Sequence, residues 1–233
     1  MECERSTQQP DVAEQLSQWL GTVDAVKLSR ALHAIESLPQ TSGPQGPAMD
    51  VGALERFFQK AKADLTALVT AKVEPPKPAR ARADNTPIDE PDPLAGADFS
   101  AHGPRYLSLQ KQLDTKLSVL RTQMRQWLSK GHPALQQLAA LDAVMEQMLG
   151  AREQRLWASL PGYLERRLAH LQKTHQQALE ASGHTDDPRR WRQPDGWLWT
   201  FEQDFQALLL AEMQVRLQPI MGLLEAAHNE KNR

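Results

Sequence analysis

Between Tyr106 and Trp127 the apolar residues Tyr106, Leu109, Leu113, Leu117, Leu120, Met124 and Trp127 recur at steps of 3, 4, 4, 3, 4 and 3. At 3.6 residues per turn this spacing keeps every one of them on a single helical stripe, the seam by which one helix meets another in a coiled coil. Period-two runs and β-branched clusters, the marks of strands, are nearly absent from the whole chain. The fold class expected is therefore all-α. A helix of about 27 residues would be about 40 Å long, so the expected architecture is an elongated antiparallel helical bundle.

Three further stripes follow the first. After Gly131, His132 and Pro133, a second helix carries Leu135, Leu138, Leu141, Met145, Met148, Leu149 and Leu156, with proline favourable in its first turn. Pro161 and Gly162 punctuate again, and a third helix over about 161–181 places Leu164, Leu168, Leu171, His175 and Ala178 on one stripe. A loop from Ser182 to Pro194 leads to a last helix, capped by Asp195, that carries Trp197, Phe201, Phe205, Leu208, Leu209, Met213 and Leu217, with a kink expected at Pro219. Residues 98–233 thus read as a four-helix bundle.

Proline divides the rest. Of the 16 prolines, seven are Pro75, Pro76, Pro78, Pro87, Pro91, Pro93 and Pro104, in a stretch too poor in apolar residues to offset chain ordering. Residues 74–97 are expected to be a flexible linker. Residues 1–73 then form an N-terminal helical module: Val12, Leu16, Trp19, Leu20, Val23, Val26, Leu28, Leu32 and Ile35 in the first piece, a break from Pro39 to Pro47, and an amphipathic helix from an Asp50 cap through Leu54, Phe57, Phe58, Ala61, Leu65, Leu68 and Val69. So few helices cannot cover their own faces, so they dock either on the bundle or on a second chain.

Composition narrows the functional classes. With the single cysteine at Cys3 there is no intramolecular disulfide and no thiolate zinc cage, and a reducing interior is expected. The longest apolar runs fall short of the roughly 18 residues that span a bilayer, and no secretory signal opens the chain; a cytoplasmic protein without membrane insertion is expected. A formal net charge of -2 gives little electrostatic reason for nucleic acid.

Catalytic patterns are sparse. A di-metal bundle centre takes two Glu-x-x-His pairs; one such pair, Glu225 with His228, occurs beyond Pro219, where a frayed helix end would hold ligands poorly. His170 and His175 are five apart and diverge on a helix, so His175 reads as a hydrogen-bonded interior or rim residue. Glu146, Glu153 and Glu212 lie near apolar stripes, with Arg152, Arg155 and Arg216 available as partners. No nucleophile elbow or glycine-rich phosphate loop is present. No catalytic, cofactor or metal residue is assigned, and no pocket where several ionisable groups converge is expected. Two surface readings remain. Trp197 and Trp199, two apart on a helix, cannot share one core line, which marks them with Trp19 and Leu20 as partner-binding candidates. Arg189, Arg190, Trp191 and Arg192 form a basic cluster with an aromatic able to stack on a base, and carry an alternative reading as a nucleic-acid-associated accessory protein.

Several blocks also resemble a known family. They are QWLGTVDAVKLSRAL at Gln18–Leu32, ADF at Ala97–Phe99, LAALDAVMEQML at Leu138–Leu149 followed by Arg152 and Glu153, LPGYLERRL at Leu160–Leu168, and LLLAEMQVRLQPIMGLLEA at Leu208–Ala226. Together they resemble an uncharacterised bacterial family, domain of unknown function 3348. The resemblance brings no reaction, cofactor or catalytic residue. It implies a cytoplasmic proteobacterial protein and, from the envelope proteins encoded near its members, an accessory or scaffolding subunit of an envelope complex. Members often carry an apolar segment ahead of the QWLG block, where this chain has about 17 residues. The function expected is a non-enzymatic interaction protein whose partner is a second copy or an envelope-complex component.

Overall fold

The computed structural model describes residues 21–37, 49–71 and 96–231. Trp19, Leu20, the Pro39–Pro47 break and nearly all of the 74–97 linker lie outside them. The described residues are helical and contain no strand: α1 (Thr22–Glu36), α2 (Val51–Thr70), α3 (Phe99–Leu128), α4 (Pro133–Ala158), α5 (Leu160–Ser182), a single 3₁₀ turn (Pro188–Arg190) and α6 (Trp197–Lys231). The protein is an all-α helical bundle.

Two compact units can be told apart. One takes in α1 together with residues 125–151; the other takes in α2, α5, α6 and residues 96–124 and 152–158. This partition does not coincide with a division at 1–73, 74–97 and 98–233, because α2 packs on α6 within the second unit.

In the second unit α6 is the central helix. Its buried residues Trp197, Leu198, Phe201, Phe205, Leu209, Met213, Leu217, Ile220, Leu223, Leu224 and Ala227 wrap round the helix rather than along one line, and both α2 and α5 pack on it. Burial on more than one side needs apolar residues on more than one side. Hence α6 is long and apolar enough, by length and composition alone, to cross a membrane. Run-length arithmetic missed this because Glu212 and Arg216 interrupt the series; both make polar contacts with residues of α3.

Local rules account for the helix ends. Asp50 caps α2, its Oδ1 accepting from the Ala53 amide at 2.9 Å, and Val51, Leu54, Phe58, Leu65 and Val69 are the buried face. Gly21 precedes α1 as its N-cap. Gly183, at φ 67, closes α5 in the left-handed conformation, its amide bonding the Leu179 carbonyl. The seam of α3 is buried at Tyr106, Leu113, Leu117, Leu120 and Met124, while Leu109 and Trp127 are half-buried and Leu128 replaces Trp127 in the core.

Two expectations are corrected. Asp195 does not cap α6; it sits at φ 71, and Gly196 holds the position before the helix. Nor does α6 fray past Pro219: it continues to Lys231, with Ile220, Leu223 and Ala227 buried. His228 bonds the Leu224 carbonyl at 3.1 Å and Glu55 of α2 at 3.3 Å, so packing on α2 holds the end that proline alone would loosen.

Candidate functional site

The segment between α5 and α6 folds back on the start of α6 because a helix begins with amide groups that have no partner in the preceding turn. Here the carbonyl of Trp191 accepts from the amides of Leu198 at 3.1 Å and Trp199 at 3.0 Å. The approach is so close that a Cβ on Gly196 would overlap the carbonyls of Arg190 and Trp191, which is why glycine stands there. Asp187 steadies the 3₁₀ turn, accepting from the Arg189 amide at 3.1 Å.

This closure places Trp191 and Trp197 against each other, ring centroids 5.2 Å apart. His175 of α5 completes the group, 6.4 Å from the Trp191 ring and 6.3 Å from Trp197. One carboxylate oxygen of Asp186 receives two hydrogen bonds, from Trp191 Nε1 and from His175 Nε2, each 2.9 Å long. Desolvation works to raise the Asp186 carboxyl, but those two hydrogen bonds, with the charge of His175 and the Asp187 amide, together outweigh it and hold the group below its ordinary value. His175 is therefore the hydrogen-bonded rim residue its stripe position suggests.

Over this floor lies a cleft of about 500 Å³, lined also by His184, Asp187, Arg190 and Asp195. A gathering of ionisable groups round an open space is what the periodicity reading did not expect. It arises from the loop, whose path depends on a carbonyl capping a helix and on the left-handed turns at Gly183 and Asp195. Ser182, on the same wall, donates its hydroxyl to the Leu179 carbonyl and so is not paired with a base.

The basic cluster is taken apart by the same closure. Trp191 is buried, 9% exposed, so the part of its ring left open on the cleft is too small for a base to stack on. Arg192 packs over Gly96, where a Cβ would stand 2.7 Å from its Nη2. Of the tryptophan pair, Trp197 is buried at 7% exposure and Trp199 half-buried: Trp197 belongs to the cleft floor rather than to a free surface.

A second polar centre lies inside the second unit. Glu212, 2% exposed, accepts from the Tyr106 hydroxyl at 2.9 Å and from Gln110 Nε2 at 3.1 Å, and Arg216 Nη1 stands 3.5 Å from it. Gln110 also donates to the Trp157 carbonyl at 3.1 Å, and Arg216 reaches Asp114 at 3.0 Å while lying over the Trp157 ring. Burial first, then the charge and hydrogen bond of Glu212, push the Tyr106 hydroxyl well above its ordinary range. Every oxygen of the buried carboxylate is met, which is what a buried charge requires.

The first unit presents a different surface. On α4, Leu135 and Ala139 are buried, and Asp142 and Glu146 share Arg125 at 3.0 and 2.6 Å; these four positions fall within an arc of about 60°. Glu146 therefore has Arg125 as a partner, an arginine that its place on the stripe did not point to. Leu138, Leu141, Met145 and Met148 occupy the neighbouring arc of about 80°, and all four are only half-buried. On α1, Val26 and Leu32 are exposed.

Among the described residues no group of three or more His, Cys, Asp and Glu is placed to hold a metal ion. The fold and its polar centres define an all-α helical-bundle protein. Residues 2–229 match the family described as protein of unknown function (DUF3348), and with almost the whole chain covered, the protein belongs to that family. No curated protein and no solved structure matches it.

Proposed function

We propose that this protein acts by surface contact rather than catalysis, as a helical interaction or scaffolding protein. The observation that carries the reading is the Leu138, Leu141, Met145 and Met148 stripe. Its steps of 3, 4 and 3 repeat the seam spacing of α3, where five of seven residues are buried, yet all four residues of this stripe stay half-open. Flexible methionines suit a surface that adapts to a partner helix. The flanking carboxylates Asp142 and Glu146 are both bonded to Arg125, so a second apolar helix meets no carboxylate without a partner.

An uncharged seam of this kind suits a copy of itself, and self-association is the form of interaction we infer first; an envelope-complex component, implied by the family, is the heterotypic form. Light scattering on the eluting full chain, with cross-linking from α4 in the bacterial host, tests both. Wild type should form a dimer or a discrete cross-linked species that Leu141→Asp with Met145→Asp abolishes while the helical circular dichroism is retained. A chain that stays monomeric and gives no discrete cross-linked product in the host overturns the proposal.

A further inference from the structure

The cleft over Trp191 and Trp197 has the size of a small-molecule site, about 500 Å³ against the few hundred to about 1,000 Å³ usual for such sites. What it would take is shown by subtracting the groups already engaged. Asp186 is committed to His175 and Trp191, and Asp187 to the Arg189 amide. His184, Thr185 and Gln193 line the cleft without a side-chain partner among the described residues; three further polar groups of opposite kinds set its charge and donor pattern. The Arg190 guanidinium and the Asp195 carboxylate are exposed on the lining and make no ion pair among the described residues. The third is the indole Nε1 of Trp197, in a side chain more than nine-tenths buried on the cleft floor, which has no hydrogen-bond partner among the described residues. An unmatched buried donor costs about 1–3 kcal/mol, and it calls for an acceptor that the described residues do not provide.

We propose that the cleft is a binding site for a small zwitterion, a free α-amino acid with an apolar side chain. Asp195 takes the ammonium group. Arg190 takes the carboxylate, with the Trp197 indole as a second donor once the Arg190–Gly196 turn yields enough to admit an oxygen. The apolar side chain meets the tryptophan floor. A lone anion would leave Asp195 unmatched, and a lone cation would leave Arg190 and the indole unmatched; a ligand carrying both charges satisfies all three groups. No bond is made or broken, and the site is distinct from the α4 stripe.

The test is calorimetry on the full chain with L-leucine and L-phenylalanine, beside N-acetyl-leucine and leucinamide, each of which lacks one charge. The expected result is saturable binding of the free amino acids, weakened about tenfold or more by blocking either end, the loss of one charge-assisted contact. Arg190→Gln and Asp195→Asn should each weaken binding by a similar factor. Both replacements keep the fold testable, since Arg190 is exposed and asparagine accepts a left-handed backbone as aspartate does; unchanged circular dichroism checks this. Absence of saturable binding up to about 10 mM, equal binding of the blocked forms, or indifference to both substitutions overturns the proposal.

Discussion

The Tyr106 hydroxyl donates to the Glu212 carboxylate at 2.9 Å, joining α3 to α6 across 106 residues of chain. Both residues are buried, so this bond and its neighbours decide whether a charge can remain inside the second unit. Tyr106→Phe removes one donor while Gln110 and Arg216 stay, and should lower stability by about 1–3 kcal/mol. Glu212→Ala leaves the Tyr106 hydroxyl without its acceptor, takes one of two partners from Gln110 and from Arg216, and should cost about 3–5 kcal/mol. Urea denaturation of the two variants measures the order; equal losses would contradict the network.

The same pair sets an alkaline limit. The Tyr106 hydroxyl is raised in the folded protein, so its contribution to stability is complete below the unfolded value of about 10 and declines as pH rises beyond it. Phenolate absorbance should therefore show one of the two tyrosines ionising together with loss of helicity, and Tyr106→Phe should remove that coupled step.

The Asp186 carboxyl carries the opposite sign. It is lowered in the fold, so its contribution is complete above the unfolded value of about 3.9 and is lost as pH falls through the lower folded value. Below about pH 4 the bonds to Trp191 and His175 weaken, and tryptophan emission should shift as the loop opens. Asp186→Asn should show no such acid transition in that range.

Gly196→Ala tests the loop closure. The added methyl group has to displace the carbonyls of Arg190 and Trp191, and with them the cap on Leu198 and Trp199. A loss of about 1–3 kcal/mol is expected, read by denaturation and by altered Trp191 emission. Gly150, where an added Cβ meets nothing within 4 Å, is the comparison site, and Gly150→Ala should not destabilise the fold.

Replacing Arg189, Arg190 and Arg192 together by alanine should leave a low-salt mobility-shift assay with a short oligonucleotide unchanged. With Trp191 only 9% exposed, the cluster lacks the broad stacking surface that single-strand binding uses. A salt-sensitive shift in wild type that the triple variant abolishes would restore the nucleic-acid reading.

Much of the fold was legible one turn at a time. The Asp50 cap, the Pro133 start, the break before Pro161 and the α3 stripe follow from spacing alone, since helix periodicity and capping are settled by residues three or four apart. The end of α6 was misread for the complementary reason: Pro219 is a local signal, and the packing of Ile220, Leu223 and Ala227 overrides it. Glu212 was legible as a carboxylate on an apolar stripe needing a partner. That the partners include Tyr106 and Gln110 was not, because nothing in the sequence relates positions about a hundred residues apart.

The amino-acid order by itself determined that this chain would be helices, where most of them begin and stop, and which stripe of each is apolar, because all of these depend on neighbours within a turn or two. Only the tertiary structure decided which stripes were used. It buried most of the α3 seam, left Leu141 and Met145 half-open, turned Trp191 from a stacking surface into a cleft floor, and left Arg190 and Asp195 on one lining without an ion pair among the described residues. Those outcomes depend on how several helices share a limited apolar surface, a competition that no single stretch of sequence contains.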